Sequence, residues 1–529
     1  STSYDKQLAG SDIFATQDEI VNTVVGEIAG LNNSAISKDI VQKAKTRGTE
    51  NLSAYECVSF VRGTFYVSFQ ADDFSKGMSC LQQSVNADPN YVDANRMPKL
   101  FDRGMEGLNW LNPNEAYFPY KWALYSAGHA NLDTNKFDAK EDMVRNRDPN
   151  SFVLGDSGGF QIGKGVWEGN WKDPNCPKAQ KKREQVLKWM DAYMDRGMIL
   201  DIPAWVARSP AGQKATGITT FAEAVQGTYI NNDYFMRNRQ GKCKFLNVLQ
   251  GENHTEADIW YDQMKKYCDP KQYPNDHFNG WAMGGQNMCD VHLTLKRIVA
   301  LRFDGLLEPG LHDWMHFLGT SKLEWALLLT DIQRAVRRYH NENFTISFDC
   351  ASPFLATANG QIYYDVVTPD RAKWSYQMQP SVDNKKYSTD TRSFRDAVLQ
   401  DKIFDSFLES PVSERLKIND VCYYKPGDLN KIGKEGKTSW DSFSYTLQMG
   451  HNVWTHIHAV QEANRQCDAG LYPDMLVATS TDRRNTRLYD RTYFRDIVND
   501  IFATSDRGKA EELVEHYRSE EHTSELQSH

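Results

Sequence analysis

From about Ala123 to Asp365, short apolar, β-rich runs alternate with amphipathic stretches, the order expected when parallel strands are joined by crossover helices. The runs are Trp122–Ser126, Phe152–Gly155, Met198–Ile202, Phe245–Leu249, Trp281–Met283, Trp314–Leu318 and Thr345–Phe348. Between them, Val186, Met190, Tyr193 and Met194 recur at helical spacing, and Leu323, Ala326, Leu327 and Ala335 form a second stripe. An eighth strand, first in chain order, is expected within Thr64–Phe69. Eight parallel strands with helices between them predict an α/β chain closed as a (β/α)8 barrel of TIM type.

This pattern divides the chain into an N-terminal extension (1–119), a barrel core (120–365) and a mainly helical accessory region (366–517). The extension holds the expected first strand and a helical stretch near Ile20–Ile28, and the accessory region opens on a polar segment, Thr368–Ser393. Residues 518–529 read like the translation of a sequencing-library adapter and are set aside from the fold.

Composition narrows the class. Of 529 residues, 40% are hydrophobic and 25% charged, which predicts a globular chain. The longest apolar stretches, such as Trp325–Leu329 and Met475–Ala478, are far shorter than a membrane span, so no membrane partner is expected. With 61 basic against 70 acidic residues, the chain as a whole does not attract a polyanion, and nucleic-acid contact must use local basic runs. Lys178–Arg183, Arg237–Lys244, Arg334–Arg338 and Arg483–Arg495 are the candidates, although such runs are commonly solvated helix faces. The nine cysteines lack CxxC spacing and Ser1–Thr23 lacks an apolar leader core, so a reducing cytoplasm is the expected location.

Catalytic groups of a parallel barrel stand where strands end. Here the runs end in Asp156-Ser157-Gly158-Gly159-Phe160-Gln161, Asp201-Ile202-Pro203, Gln250-Gly251, Gly284-Gly285 and Asp349-Cys350. Each is ordinary alone, since Asp after a strand is most often a helix cap and Gly-Gly a tight turn. Together they suit a carboxylate nucleophile with a second carboxyl moving a proton, beside glycines that admit a flat ring and a Gln/Asp pair that reads its polar edge.

In their order and wording, DSGGFQ (156–161), VLQG (248–251), AMGG (282–285), the Phe317–Thr320 stretch and Phe348-Asp349-Cys350 with Pro353 and Asn359-Gly360 resemble the tRNA-guanine transglycosylase family. The likeness covers roughly 123–365, under half of the chain, and DSGGFQ is its most specific motif. It implies a (β/α)8 barrel in which Asp349 attacks C1′ of the target nucleotide and Asp156 serves as acid/base. It further implies that Asp201 and Gln250 read the base edge, that Ser157, Gly158, Gly159, Gly284 and Gly285 line the base site, and that Phe160 stacks on the base. His316 is expected on the opposite ring face, where the family often has Met.

The chain departs from that family in two places. Its tRNA enzymes carry a CxCxxC-plus-His zinc site, whereas beyond Cys350 this chain has only Cys422 and Cys467, leaving Cys422, His456 and His458 as candidate ligands of a rebuilt site. No cofactor is required by the chemistry, and zinc is the one the resemblance allows. In the loop after Asp349, Leu355 and Ala358 stand where the tRNA enzymes place two arginines near the RNA backbone. Phosphate contacts position the polymer while base contacts specify, so these losses change the expected polymer and leave the pocket intact.

The chain is therefore most similar to the divergent phage and bacterial branch that inserts 7-deazaguanines into DNA. The expectation is a pentosyltransferase that exchanges guanine for a free preQ0-type base in DNA, in host cytoplasm for a phage enzyme. The alternatives are a queuosine- or archaeosine-type tRNA enzyme, a non-catalytic nucleic-acid-binding or partner subunit, and a glycoside hydrolase, which also uses two carboxylates.

Overall fold

A computed structural model describes residues 106–114, 116–135, 142–145, 147–367, 374–382, 384–422, 442–479 and 491–518. Seven parallel strands form one sheet in chain order: β1 (Trp122–Ser126), β2 (Phe152–Asp156), β3 (Arg196–Met198), β4 (Lys244–Leu249), β5 (Gly280–Met283), β6 (Trp314–Phe317) and β7 (Thr345–Phe348). Six of the seven runs read from the sequence are strands. The third differs, since β3 spans Arg196–Met198 where Met198–Ile202 was expected. The Asp201 N–H turns back to the Ile199 carbonyl at 3.0 Å and Pro203 follows, so the chain leaves the ladder early. The expected strand at Thr64–Phe69 and the helical stretch at Ile20–Ile28 lie outside the described residues.

Crossover helices α1 (Pro177–Tyr193), α2 (Phe221–Asn238), α3 (His254–Met264), α4 (Val291–Phe303) and α5 (Leu323–Tyr339) separate the later strands. Their starts follow local chemistry. Proline stands in the first turn of α1, where its missing N–H costs nothing. Thr220, Asn253 and Asp290 accept backbone N–H bonds at the starts of α2, α3 and α4. Val186 and Met190 of α1 and Leu323, Ala326, Leu327 and Ala335 of α5 are buried against the sheet, as their spacing predicts.

The sheet is curled. Trp314 of β6 stacks on Phe152 of β2 at 4.6 Å between ring centroids and lies 6.1 Å from Trp122 of β1. The Arg196 guanidinium of β3 sits 4.8 Å above the same ring. Four strand spacings separate β2 from β6, roughly 19 Å across a flat sheet, so these contacts require its two halves to face each other. In-register parallel pairing then gathers the C-terminal strand ends on one rim, with Ser126 beside Asp156 and Phe317 beside Phe348.

Beyond β7 the short helix α6 (Ser352–Ala358) leads to β8 (Gln361–Val367), which pairs antiparallel with β9 (Ser375–Pro380). Helix α7 (Ser442–Asp468) fastens this unit: Asn452 Oδ1 accepts from Tyr363 N at 2.9 Å and Asn452 Nδ2 donates to Thr357 Oγ1 at 2.9 Å. Helices α8 (Phe494–Ala503) and α9 (Arg507–Arg518) pack on α5 and α4, and their apolar faces join the apolar core of the sheet. A second core gathers Phe118, Phe394, Val398, Ile418 and Val453. Arg518, read as the first residue of the adapter-like tail, closes α9.

The curl makes Trp314 a keystone. Trp314→Ala is expected to destabilise the protein by about 3–5 kcal/mol, seen as a lower midpoint in urea unfolding.

Candidate active site

Carboxylates from three strands meet on the rim. Ser126 Oγ donates to Asp156 Oδ2 at 2.5 Å, tying the ends of β1 and β2. Burial raises the Asp156 pKa; the Ser126 bond opposes this, and the nearby Asp349 charge adds to it. Asp156 thus belongs with the carboxyls that hold a proton more readily than usual, and it lies close enough to Asp349 to feel its charge.

Asp349, one residue beyond β7, has a side chain 28% exposed. His316 Nε2 lies 3.0 Å from its Oδ1, and the Gly319 N–H donates to the same oxygen at 3.2 Å. No described residue donates to Oδ2, which remains for an electrophile. Behind His316, Ser347 Oγ lies 2.9 Å from His316 Nδ1 and accepts from Trp314 Nε1 at 2.8 Å. An indole N–H only donates, so Ser347 is free to give its proton to Nδ1, which leaves Nε2 as the nitrogen that donates to Asp349. The His316 ring is buried, with Nε2 turned to the carboxylate.

Asp201 and Gln250 are both buried, and Gln250 Nε2 donates to Asp201 Oδ2 at 2.8 Å. Burial pushes the Asp201 carboxyl up to about 7, against the Gln250 bond and helped by the Asp156 charge. Helix α2 holds this segment: Thr228 Oγ1 accepts from Ile202 N at 2.9 Å, and Asn231 Nδ2 donates to the Leu200 carbonyl at 2.5 Å. Arg183 of the first basic run is buried and donates to Asn231 Oδ1 at 2.6 Å.

The glycines are there for close approach. A Cβ on Gly159 would stand 2.9 Å from the Asp201 carbonyl and carboxylate oxygens, so only glycine lets the DSGGFQ loop lie on Asp201. Gly285 has φ 55° and lies against the Gly251 carbonyl, joining the β5 loop to the β4 loop. The bond from Gln286 N to Gly251 O at 2.7 Å and that from Asn287 Nδ2 to Gln250 O at 3.3 Å complete the joint. Gly284 abuts the Gln250 amide, while Ser157 and Gly158 are buried under the loop. Phe160 is 57% exposed; its ring lies 6.1 Å from Trp205, and the Lys164 ammonium stands 5.3 and 5.5 Å from the two rings.

Several site groups were not singled out from the sequence: Ser126, Ser347, Gly319, Trp205 and Lys164. Ser126 was the most accessible of them, because it ends a run just as Asp156 does. Ser347 carries no sequence signal, since its role arises from neighbours on other strands, and Gly319 was read only as part of the Phe317–Thr320 stretch.

Among the described residues, Cys422, His456 and His458 do not gather as a three-ligand group. The Cys422 thiol donates to the Asn384 carbonyl at 3.2 Å, His456 Nε2 faces Cys350 and Tyr376 at 3.4 and 3.2 Å, and His458 stacks on Trp454. Burial lowers the His456 pKa to about 4. These residues do not fit the zinc site of the tRNA enzymes. Much of the basic charge also has internal partners: Arg334 bonds Asp468, and Arg495 bonds Asp331 and Asp468. Arg483, Arg484 and Arg487 lie outside the described residues.

Fold and site define an α/β chain with a curled parallel sheet and a carboxylate cluster at the C-terminal strand ends. No protein-family model matches the chain, and no curated protein matches it. Among the described residues, no helix is long and apolar enough to cross a membrane.

Between an unfolded value near 4 and the folded value of about 7, native Asp201 keeps a proton that the unfolded chain has lost. Stability linked to this proton is fully present below the unfolded pKa and is lost as pH rises through 7. Asp201→Asn keeps an oxygen for Gln250, so its stability relative to the parent should rise by about 2–3 kcal/mol from pH 5 to pH 8. Urea unfolding at the two pH values measures this.

Proposed function

We propose that the protein is a nucleic-acid guanine transglycosylase that replaces guanine in DNA with a free 7-deazaguanine base of the preQ0 type. The observation that carries this reading is the pairing of a partly exposed carboxylate, Asp349, with a proton-holding carboxyl, Asp156, beside the Asp201–Gln250 pair and its glycine-lined loops. In this reading an eighth strand stands between β7 and β1 and closes the sheet as a barrel.

Asp349 Oδ2 bonds to C1′ of the target nucleotide as the C1′–N9 bond breaks. The electron pair leaves with guanine, which takes a proton from Asp156. Asp156 then accepts the N9 proton of the incoming base, whose nitrogen attacks C1′ and returns Asp349 as a free carboxylate. His316 and Gly319 hold Oδ1, so the attacking oxygen keeps one orientation through both displacements. Asp201 and Gln250 together offer donors and acceptors to the polar edge of the base, and Phe160 offers an exposed ring to its face. A duplex target must be flipped out of its stack, at a few kcal/mol.

Leu355, 57% exposed, and Phe354, 39% exposed, follow the nucleophile on α6. Helix α6 itself carries no cation, which favours a target strand held by stacking over the arginine clamp of the tRNA enzymes. That difference from the tRNA enzymes supports DNA over tRNA.

Protein incubated with labelled guanine or preQ0 should transfer label into DNA in preference to tRNA at matched salt. Label in tRNA alone would move the assignment to tRNA modification, and label in neither polymer would remove the transglycosylase reading. Asp349→Ala and Asp349→Asn should abolish exchange and any trapped protein–polynucleotide adduct, whereas Asp156→Asn should slow exchange by about 10²–10⁴-fold.

A further inference from the structure

Away from the strand-end carboxylates, His254, Asp290 and His292 each bring a ligand atom to within 4.8 Å of the other two, the one such three-residue group among the described residues. His254 opens α3, directly after the Gln250–Gly251 loop, while Asp290 caps α4 and His292 lies in its first turn, directly after the Gly284–Gly285 loop. Two loops that line the candidate base site therefore end at one cluster.

We propose that His254, Asp290 and His292 bind a divalent transition-metal ion of the zinc class, which clasps the β4–α3 and β5–α4 loops to the C-terminal helix α9.

The donor set is two imidazoles and one carboxylate, which suits an ion of borderline softness and disfavours magnesium or calcium, both of which prefer all-oxygen cages. The carboxylate is already oriented, since Asp290 Oδ1 accepts from Leu293 N at 3.0 Å and Oδ2 lies 2.8 Å from His254 Nε2. The two imidazole rings are stacked, with centroids 5.4 Å apart and planes at 15°. Glu515 of α9 places Oε1 2.9 Å from His292 Nε2, the carboxylate–imidazole contact that commonly supports a ligating histidine. Asp290 and His292 are buried, while His254 is 31% and Glu515 55% exposed, so the cluster has a dry floor and an opening through which an ion reaches it. Binding needs a lone pair from each imidazole, so any proton on a coordinating nitrogen leaves for solvent or moves to the other ring nitrogen. Cys422, His456 and His458 take no part.

The full chain, stripped with chelator and dialysed, is then loaded separately with Zn²⁺, Co²⁺ and Mg²⁺. The proposal expects stoichiometric zinc by elemental analysis, a visible Co²⁺ spectrum, no retained Mg²⁺, and a melting temperature raised by zinc. His254→Gln, at a part-exposed position, should fold and lose the zinc-dependent rise in melting temperature, and His254→Gln with His292→Asn should retain no zinc. Glu515→Gln should weaken binding by roughly 10–100-fold, and Cys422→Ser should leave it unchanged. Failure of the loaded parent to retain zinc, or equal retention by parent and His254→Gln, overturns the proposal. Base exchange is not the readout, so either result leaves the transglycosylase reading to its own test.

Discussion

The contact between Trp314 and Phe152 closes the geometry on which the site depends. One ring comes from β6 and the other from β2, so their stacking holds opposite halves of the sheet face to face. The other end of the same curl brings Asp349, just past β7, close enough to Asp156, at the end of β2, for its charge to raise the Asp156 pKa. Trp314 also starts the hydrogen-bond chain through Ser347 and His316 to Asp349. One side chain therefore both shapes the sheet and orients the exposed carboxylate.

Crowding of carboxylates gives the site its electrostatic character. Asp349 acts on Asp156 and Asp156 acts on Asp201, in surroundings dry enough that burial is the first cause of the raised pKa at both Asp156 and Asp201. Like charges so placed do not all ionise freely. The result is one carboxylate supported by donors and two carboxyls disposed to keep protons, a division of labour made by environment and not by residue type.

The region after the sheet supports the rim from outside. Helix α7 pins α6 and β8 through Asn452, while α8 and α9 lie on α5 and α4 and share the core of the sheet. A metal clasp at His254, Asp290 and His292 would carry this support to the loops that present Gln250 and Gly284, so the accessory helices and the base site would stiffen together.

Six of the seven strands and helices α1 and α5 were legible because the apolar runs are short and separated by helical stripes such as Val186–Met190 and Leu323–Leu327, whereas the third run meets β3 only at Met198. Asp156, Gln250 and Asp349 could be placed at strand ends for the same reason, while Asp201 follows the end of β3 by three residues. What happens between strands is not local. The Ser126 bond to Asp156, the turn of His316 toward Asp349, and the meeting of His254 with His292 all depend on curl and register, which bring together residues far apart in the chain. The order of elements and the residues at their ends were thus determined by the sequence alone. Which of those residues touch, and which carboxyl keeps its proton, was decided by tertiary packing, because distance and burial set interaction strength and neither exists until the sheet has curled.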